Sequence, residues 1–298
     1  MSSIKDRQRA AARARLEKEM AERAAAAKKR RQTQAIIGSA VAVLVIAGTA
    51  VWIVSALNSK SKTTPVASTS AAPSASAAGP APAVSATAPA AAGTANCAWY
   101  PQTAATGGKI KDVGLPPTNV PAKGADTFTM NTNLGVIAAK LDLTKVPCTA
   151  AAFEYLGSKK FWDNSKCHRL VNQASFKVLQ CGDPYASGKG YRDTDGMGGP
   201  SFAYGTENLP TGAAKPYPKG VIAMANTGQP NSTGSQFFIV FADTKLSADY
   251  TVLGTITTGM NIVDAVGKAG DDGAFAQQAG GGHPKTEVDI KTLTVTKG

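Results

Sequence analysis

"ANTGQPNSTGSQFFIV" runs from Ala225 to Val240 and sets four side-chain amides, Asn226, Gln229, Asn231 and Gln236, in a loop rich in Gly, Pro and Ser. The loop stops at Phe237, Phe238 and a β-branched pair, the mark of a strand. The stretch holds no acid, base or metal ligand. Neutral donors and acceptors beside two rings, with no base to activate a nucleophile, do not suit nucleophilic attack.

Seven further strands are predicted around this one. "DTFTMNTN" alternates Phe128 and Met130 with polar residues, and "GVIAAKLDL" follows a turn at Asn133-Leu134-Gly135. "KCHRLV", "FKVLQCG", "GVIAMAN", "YTVLGTI" and "EVDIKTLTVT" complete the set. Between them, "VPCTAAAFEYLG" reads as a helix opened by Pro147 and ended by Gly157, with Phe153 and Leu156 on one face. A second helix starts near Met260, with Ile262, Val263 and Val266 at helical spacing. The expected fold is mainly β, a closed eight-stranded antiparallel barrel capped by two helices. The Gly-rich runs Gly182 to Gly205 and Gly270 to Gly282 read as long surface loops.

The N-terminal third is of another kind. Of the net charge of +12, residues 1–31 carry +7, and "KKRR" at 28–31 leads into an uncharged apolar run from Ala35 to Leu57. A bilayer core needs about 20 such residues as a helix. Residues 32–58 are therefore expected to be an uncleaved membrane anchor, since a cleaved signal peptide has a shorter core of about 7–15 residues. The positive flank places residues 1–31 in the cytoplasm as a tail drawn to anionic lipid, rather than an arm for nucleic acid, and everything after the span outside. Residues 59–96, mostly Ala, Ser, Pro and Thr, are expected to be a disordered linker. Residues 97–298 form the folded domain. All four cysteines, Cys97, Cys148, Cys167 and Cys181, follow the span, where disulfides persist. Their spacings fit no zinc pattern, and three pairings are open.

The two histidines, His168 beside Arg169 in a strand and His283 in a Gly-rich loop, have no nucleophile motif near them. "GMGGPS" from Gly196 is followed by no helix start, so it is no phosphate loop. What remains is an Arg, amides, backbone and rings, which fit a conformational change in a bound peptide.

"KVPCTAAAF", "CHRL…VLQCGDP", "GVIAMANTG…NSTGSQFFI" and "YTVLGTITTGMNIVDAV" together resemble the cyclophilin family of peptidyl-prolyl cis-trans isomerases, from about Asp126 to Lys297. With the anchor, stalk and cysteines, the chain is similar to extracytoplasmic cyclophilins of actinobacteria. The resemblance implies isomerase activity without cofactor or metal, on proline-containing segments of unfolded, exported proteins at the outer face of the cytoplasmic membrane. It assigns Arg169, Gln180 and Asn226 to catalysis. Phe176, Val178, Ala225, Gln236, Phe238, Leu246 and Tyr250 line the substrate groove, with Phe237 turned to the core. On the same scaffold Cys167 and Cys181 sit on two strands that pair, implying a Cys167–Cys181 bridge, and Cys97 then clips the N-terminal segment to Cys148.

Three departures from the family pattern bear on the site. The Arg169-to-Gln180 interval is longer by three residues. The pocket Phe's position holds Lys177, with Phe176 one place earlier; a one-residue slip turns a strand side chain over, so Phe176 needs a bulge to reach the pocket. Lys245 matches the Trp that contacts cyclosporin, which implies weak binding of that drug. A non-catalytic peptide-binding or chaperone module on the same groove is the alternative reading.

Overall fold

The computed structural model describes residues 90–104 and 107–298. The basic tail, the expected anchor and nearly all of the expected linker lie outside the described residues. Among the described residues, no helix is long and apolar enough to cross a membrane. Order begins before Cys97, however. Thr94–Asn96 is a strand paired with Asn119–Pro121, because Asn119 Nδ2 donates to Asn96 Oδ1 (2.8 Å) and Thr94 Oγ1 (3.2 Å) across the ladder.

Seven of the eight expected strands and both helices are present as expected, and the eighth is divided in two. The hairpin β1 (Ala125–Thr132) and β2 (Gly135–Asp142) precedes helix α1 (Pro147–Ser158). β3 (Ser165–Lys166), β4 (Arg169–Gln173) and β5 (Phe176–Cys181) follow, then β6 (Val221–Met224) and β7 (Phe237–Val240). β8 (Val252–Thr258), helix α2 (Met260–Ala269) and β9 (Asp289–Lys297) end the chain. One antiparallel sheet joins all nine strands in the order β3-β9-β1-β2-β8-β6-β7-β5-β4.

This order corrects the expected closed ring of eight. The segment "KCHRLV" is not one strand but two, because it changes partner midway. Ser165 and Lys166 pair with β9, whereas Arg169 onward pairs with β5. At the handover Cys167 N–H donates to Val288 O (3.0 Å) and His168 N–H to Gln180 O (3.0 Å). The ladder is thus a curled nine-stranded sheet whose two edge strands are consecutive in the chain.

Alternation does the sorting. Phe128, Met130, Ile137, Ala139 and Leu141 all turn inward from β1 and β2 and are fully buried. α1 lays Phe153 among Phe128, Trp162 and Phe237, with ring centroids 6.1, 4.9 and 5.8 Å away. Four rings meeting at one point give the core large apolar groups in edge and tilted contact. α2 covers the sheet with Val263 and Val266.

α1 starts at Pro147 as expected, but its cap comes from far along the chain. The Glu207 carboxylate accepts from Cys148 N–H (3.0 Å), Thr149 N–H (2.8 Å) and Thr149 Oγ1 (2.7 Å). An anion there satisfies orphan donors and the helix dipole together. Gly157 does not end the helix. It lies inside the last turn, where a Cβ would stand 3.0 Å from Leu293 O, so its role is close packing of α1 on β9.

The run Gly182 to Gly205 is no simple surface loop. Phe202, Ala203 and Tyr204 are buried beneath the N-terminal segment, whose Trp99 packs edge-on against Phe202 (5.4 Å) and Tyr204 (5.6 Å). Tyr100–Pro101 pairs with Phe202–Ala203, and Ile110–Lys111 with Gly199–Pro200. Both implied disulfides are present, Cys97–Cys148 over 51 residues and Cys167–Cys181 over 14.

Loop-closure entropy ranks the two bridges, at about 4 kcal/mol for the long loop and about 3 kcal/mol for the short one. Denaturant unfolding of the paired Cys→Ser variants is expected to show the larger loss for Cys97/Cys148. The reverse order would mean that the N-terminal segment adds little to folding.

Candidate functional site

Across the sheet face opposite the main core, cross-strand pairing brings the assigned residues into one row. Arg169 on β4 stands opposite Gln180 on β5, Gln180 opposite Phe238 on β7, and Phe238 opposite Ala223 on β6. One step along, Val171, Val178 and Val240 form a parallel row. Residues directly opposite share a face, so the register alone builds a polar rim beside an apolar floor.

Phe238 is the centre of that floor and is 5% exposed. Val178, Val221 and Val240 surround it, with Phe176, Leu246 and Tyr250 half-buried at its margin. Tyr250 meets Phe238 edge-on at 5.5 Å and Tyr217 does so at 6.1 Å. Tyr217 was not singled out from sequence. Its hydroxyl donates to Tyr250 O (3.1 Å) and accepts Tyr250 N–H (3.0 Å), which fixes the pocket wall. The available signal was an aromatic between Pro216 and Pro218, pinned just before a strand.

Phe176 reaches the pocket without a bulge. Regular alternation puts Phe176, Val178 and Gln180 on one face, while Lys177 pairs with Asn172 on the other and donates Nζ to its Oδ1 (2.6 Å). The ladder runs without a register shift to Gln173 opposite Phe176, with only Ala174 and Ser175 in the turn, so Phe176 and Gln180 keep the same face. The Phe176 ring lies 5.6 Å from the Arg169 guanidinium carbon, within cation–π range.

Arg169 is held from two sides. Its Nη1 donates to Gln180 Oε1 (3.1 Å), its Nε to Gly280 O (3.3 Å) and its Nη2 to Ala279 O. Burial lowers its pKa, yet an Arg remains a cation at neutral pH. Gln180 Nε2 then donates to Gln236 Oε1 (3.0 Å), and Gln236 Nε2 donates to Gly196 O (2.7 Å) and Gly198 O (3.0 Å). Main-chain carbonyls of the Gly270–Gly282 and Gly182–Gly205 runs therefore frame the site, a role that composition did not reveal.

Asn226 is arranged differently. Its Nδ2 donates to Asp249 O (2.9 Å) in the loop after β7 and its Oδ1 accepts Gly228 N–H (2.9 Å), so the side chain ties two loops together. Asn231 adopts φ +55°, a loop-forming conformation. Ala225, Asn226, Gln180 and Gln236 border a cavity of about 340 Å³, whose opposite wall includes Gln102 and Ile110 of the N-terminal segment. Among the described residues, no cluster of His, Cys, Asp or Glu could hold a metal ion.

Fold and site together define a cyclophilin-type domain. Residues 127–295 match the family described as cyclophilin type peptidyl-prolyl cis-trans isomerase/CLD, and the chain belongs to that family. It is 37% identical over 211 residues to "Probable peptidyl-prolyl cis-trans isomerase B" of Mycobacterium leprae, covering 66% of each chain. A protein of the same name from Mycobacterium tuberculosis is 39% identical over 212 residues, 67% of this chain and 63% of that one. The chain thus spans a little under two thirds of the length of these curated relatives. The crystal structure of a Cryptosporidium parvum cyclophilin type peptidyl-prolyl cis-trans isomerase aligns over 58% of this chain and 99% of its own, at 23% identity and a TM-score of 0.47.

Next to Arg169, His168 occupies the break between β3 and β4 and is 3% exposed. Neither ring nitrogen has a hydrogen-bond partner among the described residues. Burial lowers its pKa to about 4, against the pull of Asp183 and Asp195, with Arg169 and His283 acting in the same direction as burial. The unfolded chain takes up this proton near the ordinary pKa of about 6.5, whereas the folded chain refuses it until about 4. The associated stability is whole above that window and is lost as pH falls through it, by roughly 3 kcal/mol. Urea unfolding at about pH 7.5 and about pH 4.5 should show a shallower loss in His168→Leu than in the wild type. Equal slopes would put the acid sensitivity on other groups.

Proposed function

We propose that this chain is a peptidyl-prolyl cis-trans isomerase that assists exported proteins at the outer face of the cytoplasmic membrane. The observation that carries the activity is a half-buried guanidinium, that of Arg169, held by three hydrogen-bond partners at the rim of the apolar pocket around Phe238.

Rotation about an X–Pro bond must break amide resonance, a barrier of about 18–20 kcal/mol. As the bond twists, the proline nitrogen loses conjugation and becomes a hydrogen-bond acceptor. A proline ring seated on Phe238, with Phe176, Leu246 and Tyr250 around it, places that nitrogen below Arg169. The cation then stabilises the twisted state more than either planar one, which is the condition for catalysis. The backbone of Asn226 and the amide of Gln180 hold the flanking peptide, so one side of the bond stays fixed while the other turns. No covalent step occurs and no cofactor is required.

The location rests on the sequence: the uncharged run Ala35 to Leu57 behind "KKRR" fits a single anchor, and four cysteines after it fit an oxidising exterior. Substrates there are proline-containing segments of chains that have just crossed the membrane unfolded.

One charged hydrogen bond is worth about 1.5–3 kcal/mol, or about 10–150-fold in rate. Arg169→Ala in the full chain is expected to lower kcat/KM for a short Ala-Pro peptide by about 100-fold, with the fold retained by circular dichroism. An unchanged rate would remove Arg169 from catalysis. A wild-type chain that binds the peptide without accelerating its isomerisation would instead make this a binding module.

Lys245 is exposed at the pocket margin, and its N–H donates to Ser175 O (2.8 Å). A hydrated ammonium there offers a large apolar macrocycle no flat surface, so cyclosporin is expected to inhibit only weakly. Tight binding in a fluorescence titration would contradict the assigned role of this position.

A further inference from the structure

The row of amides behind Arg169 ends in a buried carboxylate that the catalytic reading leaves unused. Asp183 is 0% exposed, and its two oxygens accept three main-chain N–H groups. Tyr185 N–H donates to Oδ1 (2.7 Å), while Gly196 N–H (2.7 Å) and Gly198 N–H (3.0 Å) donate to Oδ2. The carbonyls of those same two glycines receive Gln236 Nε2.

The chemistry of these groups leaves little freedom. A carbonyl only accepts, so two converging carbonyls can be met only by the NH2 end of the Gln236 amide. Its oxygen must then face Gln180, whose own NH2 end turns to it, and the Gln180 oxygen is left for Arg169. A flip of either amide would set donor against donor or oxygen against oxygen. Of the three hydrogen bonds on the Arg169 guanidinium, the one from Nη1 is therefore set, through two amides, by carbonyls that Asp183 holds, while Gly280 O and Ala279 O take the other side.

We infer that Asp183 is a positioning residue for the isomerase reaction, acting through Gly196, Gly198, Gln236 and Gln180 to aim Arg169; this rests on the isomerase reading above. Asp183 touches neither substrate nor the reacting bond. Two glycines in "DGMGGP" are explained by the same geometry. A Cβ on Gly198 would lie 2.1 Å from Asp183 Oδ1, and Gly196 has φ +95° with His168 against it. Only glycine at both places lets the backbone wrap the carboxylate.

The test is a double-mutant cycle with a short Ala-Pro peptide, using the full chain. Asp183→Asn keeps the shape but replaces one acceptor by a donor, and it is expected to lower kcat about tenfold with KM changed less than about twofold. In a Gln236→Ala background the same substitution should change kcat less than about twofold, because the path from Asp183 to Arg169 is already cut. An equal fall in both backgrounds would overturn the inference and make Asp183 a purely structural anchor. Gly198→Ala, which displaces the carboxylate without removing it, should reproduce the Asp183→Asn pattern. A further measurement needs no variant: the Gln236 side-chain amide protons should exchange slowly with solvent in the wild-type NMR spectrum. Exchange as fast as in a free glutamine would overturn the inference even if neither variant folds. A wild-type chain without isomerase activity but with a protected Gln236 amide would fell the isomerase reading alone and leave the amide relay standing.

Discussion

Phe237 and Phe238 are neighbours in the chain and face opposite ways, and the pleat of β7 between them joins the interior to the groove. Phe237 meets Phe128 at 5.7 Å and Phe153 at 5.8 Å inside the core. Phe238 floors the pocket on the other side. Because side chains in a strand alternate with period two, the core cannot shift register without turning the pocket inside out. The packing that stabilises the fold therefore also fixes the site. The same parity on β5 carries Gln180 and Phe176 to the pocket, and the ladder to β4 brings Arg169 beside them.

What the sequence made legible follows from this period. Strands with strict alternation, such as β1 and β2, were readable because one face is buried and the other is not. The site residues on β4, β5 and β7 come instead from the resemblance to the family, and cross-strand register brings Arg169, Gln180 and Phe238 into one row. Phe176 does lie in the groove to which the resemblance assigns it, but with no bulge, because its parity with Gln180 already puts it on that face. The Gly182–Gly205 run was misread as surface because its covering, Trp99 and the strands around it, lies far back in the chain, beyond the 127–295 family match.

Other features were hidden because they depend on non-local partners. No local pattern links Glu207 to the start of α1, nor Gly157 to the backbone of β9. Asn226 carries a hydrogen bond at each end of its amide, to Gly228 in its own loop and to Asp249 in the loop after β7, and nothing local in the sequence links it to Asp249. Asn and Gln are ambiguous in this way: a loop needs the same hydrogen bonds that a substrate needs. Gln180 and Gln236 differ because they lie in or beside strands, where the backbone is already paired and the amide is free to point across the sheet.

The handover at Cys167 and His168 has a consequence for how the domain behaves among unfolded chains. A sheet of this length ordinarily ends in two rows of unpaired N–H and C=O groups, which extended polypeptides can recruit. Here Leu170 exchanges hydrogen bonds with Gly282 (2.8 and 3.0 Å) along the outer side of β4, and Lys166 N–H donates to Ala186 O (2.7 Å) beside β3. Both margins are thus covered by loops of the same chain. Among the described residues, the margins of the nine-stranded sheet thus leave fewer free N–H and C=O groups with which a second copy or another extended chain could pair.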